Sequence, residues 1–284
     1  MKKVKRILVG IDIFEKPDSV LKRALMVAEE NKAALFVVHA VQTPLFSIPS
    51  YFGGKEVNID TKGITKKIEK KIHSLNKNRQ ISYAVLVKEG DPGDIILYES
   101  KLIHADMIVI GASRKNKKKY LGATAEKVAH QSHLPVLIVK NSVKRPYQNI
   151  VAPTDLQTQS KQSILFAKSI FPSAKIKVVN SSEVIYVDGP YTVVGSDFEA
   201  YNRKARISAE KDLKNFIKDL SLKKGEVIDG KGSSKEVLLE YINKKSYDLV
   251  VVGSRGTSGF KALLGSMASS ILRETSTDVL VYVP

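Results

Sequence analysis

The chain says the same thing twice. ADMIVIGASR…YLGATAEKVAHQSHLPVLIVK closes its first half and YDLVVVGSRGTSGFKALLGSMASSILRETSTDVLVYVP closes its second. Both read as a buried strand, a turn after Gly111 or Gly253, a helix opened by Gly122 or Gly265, and a last apolar strand. A long unit used twice constrains the fold strongly, because both copies must follow one topology and each must bury a core. The 284 residues divide naturally into two domains of about 140 residues. The expected domains are 1–142 and 146–284, joined by the polar, proline-ended stretch NSVKRP.

Each half opens with an apolar strand ending in Asp, VKRILVGID to Asp12 and YQNIVAPTD to Asp155. Helical spacing follows in SVLKRALMVAEE and KQSILFAKSIF. A second strand comes next, ALFVVHAV or KIKVVNSS, and then a variable connection over 42–58 or 183–196. A lysine-rich helix, a short strand (ISYAVLV or GEVID) and a helix near 94–104 or 234–245 lead into the repeated tail. The Val/Ile/Leu runs MIVIG and LVVVG suit strands covered on both faces. Their alternation with helices implies right-handed crossovers and a parallel sheet. The expected fold class is α/β, with two tandem, doubly wound, five-stranded parallel-sheet domains of Rossmann-like type. Such sheets bind ligands beyond the carboxyl ends of the strands, where strand order reverses. Asp12, Asp155, the segment after Val179 and the loop after Val252 all fall there.

Composition narrows the function classes. There are no cysteines, hence no disulfide framework and no zinc–thiolate site. No apolar run approaches the roughly 20 residues of a membrane span. Met1-Lys2-Lys3 has the charge of an export signal, but the apolar stretch after it stops at Asp12 and reads as a strand. The expected location is the cytoplasm. Net charge is +17, with 25 basic against 14 acidic residues in 1–143 and 21 against 15 in 144–284. The surplus permits contact with polyanions, and it also arises from lysines on solvated helix faces.

The second copy keeps Gly253-Ser254-Arg255-Gly256 and then Gly265-Ser266. A glycine-rich loop can aim several N–H groups at one anion. Gly265 lets a second backbone segment approach, and Ser266 offers a hydroxyl and a helix N-terminal amide. Arg255 can reach a phosphate with its forked donors. The same residues also describe a tight turn, a helix capped by Ser266, an exposed arginine and a serine serving only the turn. Asp155 fits a ligand contact and a cap on the following turn equally well, whereas Asp12 reads as a cap. In the first copy Arg114 replaces the second glycine, lysines follow at 115 and 117–119, and Ala123 follows Gly122. That segment reads as a solvated basic loop.

Other chemistries are missing from the sequence. There is no GxxxxGK[ST], no GxSxG, no GxGxxG after a strand and no HExxH. The five histidines, His39, His73, His104, His130 and His133, show no recognised metal spacing. Ser233 and Glu236 form a capping box rather than part of a phosphate loop. No catalytic residue and no metal ligand is assigned. With no evident base to align water, any hydrolysis would be slow, and the chain does not read as an enzyme.

Gly-x-x-Gly, eight residues, then Gly-Ser, together with the strand-end Asp, the GDPG turn at Gly90 to Gly93 and LPVLIV in a terminal strand, resembles the nucleotide-binding signature of the universal stress protein family. The resemblance covers the chain as two tandem copies, although the gap of eight is one residue short of the family's usual spacing. It implies an adenine nucleotide α-hydrolase-like fold and a stress-response regulator that binds ATP, or AMP or ADP, with Mg²⁺ as a companion ion. Carried over by position, Gly253, Gly256, Gly265 and Ser266 would hold phosphates and ribose. Asp155 would lie at the adenine side, and backbone near Ser181 would read the base. The resemblance also implies pairing of the terminal strands VLIVK and VLVYVP, as a pseudo-dimer within one chain or as a homodimer, and a protein partner of unknown kind. An interaction module that binds no nucleotide remains open. A nucleic-acid binder is the weakest reading, because the chain lacks an RNP-like aromatic strand and a zinc finger.

Overall fold

A computed structural model describes residues 3–15, 17–42, 59–115, 118–182, 195–230, 233–254 and 264–284, with 113–115, 118–120 and 195–199 described by their backbone alone. The chain forms two compact units, Met1–Pro146 and Tyr147–Pro284. The first contains β1 (Arg6–Gly10), α1 (Asp18–Asn31), β2 (Ala34–Val41), α2 (Thr61–Asn76), β3 (Tyr83–Glu89), α3 (Pro92–Leu102), β4 (Met107–Gly111), β5 (Ser113–Lys115), β6 (Lys118–Tyr120), α4 (Ala123–Gln131) and β7 (Val136–Val139). The second contains β8 (Asn149–Pro153), α5 (Thr158–Ile170), β9 (Lys175–Ser181), α6 (Gly195–Asp219), β10 (Lys224–Ile228), α7 (Ser234–Lys244), β11 (Leu249–Gly253), α8 (Ser266–Glu274) and β12 (Asp278–Tyr282).

Within the first unit the parallel strands run β7-β4-β1-β2-β3. Within the second they run β10-β9-β8-β11-β12. In each, the chain builds outward from its first strand in one direction and then returns to build in the other. The reversal falls between β1 and β4, and between β8 and β11, where a crevice opens at the carboxyl ends. The central strands are apolar because helices cover both faces: Ile7, Leu8, Val9, Met107, Ile108 and Val109 are fully buried, as are Ile150, Val151, Leu249, Val250 and Val251. Each such side chain contributes about 1.5–3 kcal/mol through removal from water.

Two polar ties recur in both units. Asp106 accepts hydrogen bonds from the amides of Lys5 (2.9 Å) and Arg6 (3.0 Å). Asp248 does the same for Gln148 (2.9 Å) and Asn149 (2.8 Å). A carboxylate at the entry of β4 or β11 thus fixes where β1 or β8 begins. At the far end of the strand, His39 Nδ1 bonds the Ile11 carbonyl at 3.1 Å, and Asn180 Nδ2 bonds the Thr154 carbonyl at 2.9 Å. The backbone just before Asp12 and Asp155 is therefore held from the neighbouring strand.

The helix starts follow the sequence chemistry. Asp91 caps α3 by accepting from the Asp94 amide at 3.0 Å, with Pro92 at the first position. Gly90 has φ +136°, a conformation that requires glycine. The capping box of Ser233 and Glu236 is present at α7. One expectation is corrected: the basic segment after Gly111 is not simply a loop, because β5 and β6 pair antiparallel. No described helix is long and apolar enough to cross a membrane.

Candidate functional site

The strand registers bring three side chains of the second unit into one row. β8 pairs β9 with Pro153 opposite Val179, and β8 pairs β11 with Val151 opposite Val250. Carried forward to the carboxyl ends, these registers set Asp155 level with Ser181 on one side and Ser254 on the other. The same construction in the first unit, from Gly10 opposite Val38 and Gly10 opposite Ile110, sets Asp12 level with Ala40 and Ala112. The repeat therefore retains the carboxylate twice but the flanking hydroxyls only once.

Those hydroxyls are unusual. Ser254 is 1% exposed, and its amide donates to the Tyr282 carbonyl at 2.8 Å. Its Oγ is buried and has no hydrogen-bond partner among the described residues, and the same is true of Ser181 Oγ. A buried hydroxyl without a partner costs about 1–3 kcal/mol, so two in one row at the switch point are more consistent with a ligand site than with simple packing. The sequence reading of Ser254 as turn structure did not anticipate its burial or its unpartnered hydroxyl. The available signal was the contrast between Ser254 and Ala112 directly after matching strands.

The backbone beneath the row is held in place. Leu156 adopts φ +63°, a left-handed conformation that costs an ordinary residue about 1–2 kcal/mol. Thr154 Oγ1 fixes it by accepting from the Leu156 amide at 2.9 Å. Asp155 Oδ1 accepts from the Gln157 amide at 3.1 Å and from Ser160 Oγ at 2.7 Å. Of the two roles open to Asp155, capping is therefore present in the structure. Asp12 Oδ1 likewise accepts from the Phe14 amide at 2.9 Å.

The glycine positions divide in role. At Gly253 a Cβ would stand 3.2 Å from the Gln159 carbonyl oxygen, and at Gly111 it would stand 2.8 Å from Val20 Cγ2. Both glycines let the first turn of the helix after the neighbouring strand, α5 beside Gly253 and α1 beside Gly111, pack on the strand end, which gives Gly253 a packing role. Gly265 is the N-cap of α8, with φ −64° and ψ 163°, and has no side-chain cap. Ser266 is the exposed first helical residue, which corrects the reading of Ser266 as the cap. The first amides of a helix have no intrahelical acceptor, and α8 carries no acidic residue in its first turn. Among the described residues nothing caps that end of α8, and an uncapped helix start attracts an anion. Arg255 and Gly256 lie outside the described residues.

The rest of the neighbourhood is apolar or committed elsewhere. Burial pushes the Tyr282 phenol up, and its ring lies 5.2 Å from that of Phe166. In the first unit His39 is 3% exposed. Its Nε2 has no hydrogen bond among the described residues, while its Nδ1 carries the proton given to Ile11. No group of three or more His, Cys, Asp or Glu able to hold a metal ion occurs among the described residues.

Known proteins agree with this architecture. A 20% identical universal stress protein from Archaeoglobus fulgidus has a solved structure that superposes with a TM-score of 0.68, covering 99% of each chain. The protein PA1789 from Pseudomonas aeruginosa superposes with a TM-score of 0.69 at 17% identity, over 99% of this chain and 93% of that one. These likenesses show the fold. Among curated relatives, universal stress protein MJ0531 of Methanocaldococcus jannaschii is 25% identical over 143 residues, which is 49% of this chain and 84% of the relative. The stress response protein NhaX of Bacillus subtilis is 27% identical over 161 residues, 48% of this chain and 97% of the relative. Relatives of single-unit length thus match about half of the chain. The family model for universal stress proteins matches twice, over residues 3–140 and again over 146–283. The chain therefore belongs to the universal stress protein family and carries two tandem copies of its domain.

Proposed function

We propose that the second unit binds one adenine nucleotide, ATP in preference to ADP or AMP, and that the protein acts as a nucleotide-responsive regulator in a stress response. The observation that carries this reading is the row Ser181–Asp155–Ser254, in which two buried hydroxyls have no partner among the described residues. The uncapped start of α8 supplies the second element of an anion site. Family membership supplies the adenine nucleotide as ligand class. The buried hydroxyls and the open helix end fit such a group: Ser254, Ser181 and the Gly265–Ser266 backbone would hold it, with Arg255 and Gly256 completing the phosphate contacts. The nucleotide would bring charge and any Mg²⁺ with it. The protein's own residues would bind and orient it. In the first unit Ala40 and Ala112 remove the hydroxyls, so that unit serves as support.

Binding to the folded form alone raises stability by about 2.7 kcal/mol when ligand stands at 100 times Kd. Thermal unfolding with millimolar ATP and Mg²⁺ should therefore show a raised Tm, and Gly265→Val should remove the rise. The extended backbone at Gly265 accepts valine without strain, so lost binding would report crowding of the helix end and not misfolding. An unchanged Tm in the parent protein with ATP, ADP and AMP alike would reject the proposal.

A further inference from the structure

The amino ends of the same strands carry a second, separate cluster. Lys175 begins β9 and Lys224 begins β10, while Lys245, Ser246 and Tyr247 lead into β11. With Lys177 and Asn149 they line a cavity of about 250 Å³. Six residues separate Lys175 from Ser181 along β9, about 20 Å at the rise of an extended strand. This cavity is therefore not part of the row described above.

Four lysines line one cavity, and the carboxylate beside them is already committed. Glu226 is ion-paired to Lys177, accepts from Tyr241 Oη at 2.7 Å and lies 3.7 Å from Lys245 Nζ. The hydrogen bonds from Lys177 and Tyr241 hold its carboxyl below the usual range. Lys245 Nζ also sits 4.2 Å from the centre of the Tyr241 ring, and Tyr241 Oη meets Tyr247 Oη at 3.1 Å. Asp248, a second carboxylate at this end, is engaged by the amides of Gln148 and Asn149. The cluster thus orders two lysines, while Lys175 and Lys224, exposed at the cavity's lining, have no acidic partner among the described residues. A concave, basic wall concentrates anions.

We infer that this cavity is an anion site for a small phosphate compound bearing at least two negative charges, a short phosphate chain or a small phosphate ester. Size sets the upper limit. At about 250 Å³ the cavity falls below the roughly 300 Å³ at which sites for drug-sized ligands begin, so a phosphate group fits and a whole nucleotide does not. Lys175 and Lys224 supply the free charge, Lys177 and Lys245 the ordered charge, and Asn149 and Ser246 the neutral donors.

The test uses the full chain, labelled with ¹⁵N and titrated with sodium tripolyphosphate. The amides of Asn149, Ser246 and Tyr247 should shift and saturate. The apparent Kd should weaken about tenfold in the Lys175→Ala/Lys224→Ala double variant, the loss expected of two partly screened ion pairs. Raising salt from about 50 to about 300 mM should weaken it further. The two lysines are exposed, so the variant should keep the parent's spectrum elsewhere, and a Lys175→Arg/Lys224→Arg variant should retain binding. Saturable shifts confined to Ser266–Ala268, no saturable shift at all, or saturation by a single-stranded oligonucleotide but not by tripolyphosphate would each overturn the inference. The result does not depend on the nucleotide proposal, because the ATP-induced rise in Tm should survive in the lysine variant.

Discussion

Replacing Ser181 and Ser254 by alanine should stabilise the ligand-free protein while weakening its hold on nucleotide. Both hydroxyl oxygens are buried without partners among the described residues, and each such group costs about 1–3 kcal/mol. Alanine removes the polar atom and leaves a void of only one oxygen, and it restores the row already present in the first unit, Ala40–Asp12–Ala112. Taking the low end for each site gives roughly 2 kcal/mol for the double variant. For a unit of this size 1 kcal/mol corresponds to about 4 °C, so the second unit's transition should rise by about 8 °C. The chain has no tryptophan, so circular dichroism or calorimetry is the suitable probe. With ATP at saturating concentration for the parent, the order should reverse, since the variant forfeits the ligand's contribution. A double variant that is less stable without nucleotide, yet shows the parent's ATP-induced shift, would refute the reasoning, because the hydroxyls would then be structural.

Asp248→Ala should cost the second unit about 2–3 kcal/mol in urea unfolding, since two amides lose a charged acceptor, and Asp106→Ala should cost the first unit a similar amount; a loss below about 0.5 kcal/mol would deny the pinning role. Gly111→Ala should destabilise by about 1–3 kcal/mol because its Cβ would stand 2.8 Å from Val20, and parent-like stability would show that α1 can shift freely. Glu226 has a carboxyl held below its ordinary value of 4.5 by Lys177 and Tyr241, so its contribution is present above that value and lost as pH falls through the folded-state value. Glu226→Gln should therefore flatten the acid limb of stability against pH, and an unchanged limb would contradict the pairing.

Much of the architecture was legible because burial on both faces leaves a strong mark. MIVIG and LVVVG fit strands covered on both faces, and the period change between them and their neighbours marked the crossovers. The capping box at Ser233 and the GDPG turn were readable because local hydrogen bonding dictates residue type. What escaped depended on registers between distant strands. Asp106 and Asp248 stand before matching strands, yet their partners lie about 100 residues away. The level row of Ser181, Asp155 and Ser254 appears only once β8 is aligned with both neighbours. Gly253 reads as a phosphate-loop glycine, and its close approach to Gln159 is a packing contact invisible in the sequence. The β5–β6 pairing was hidden because lysine-rich segments seldom form strands.

Calorimetric titration of the full chain with ATP and Mg²⁺ tests the central claim most directly. The account predicts one site per chain, lost in the Ser181→Ala/Ser254→Ala variant and kept in an Ala40→Val/Ala112→Val variant of the first unit. Two equivalent sites, or heat of binding that survives removal of both hydroxyls, would contradict it.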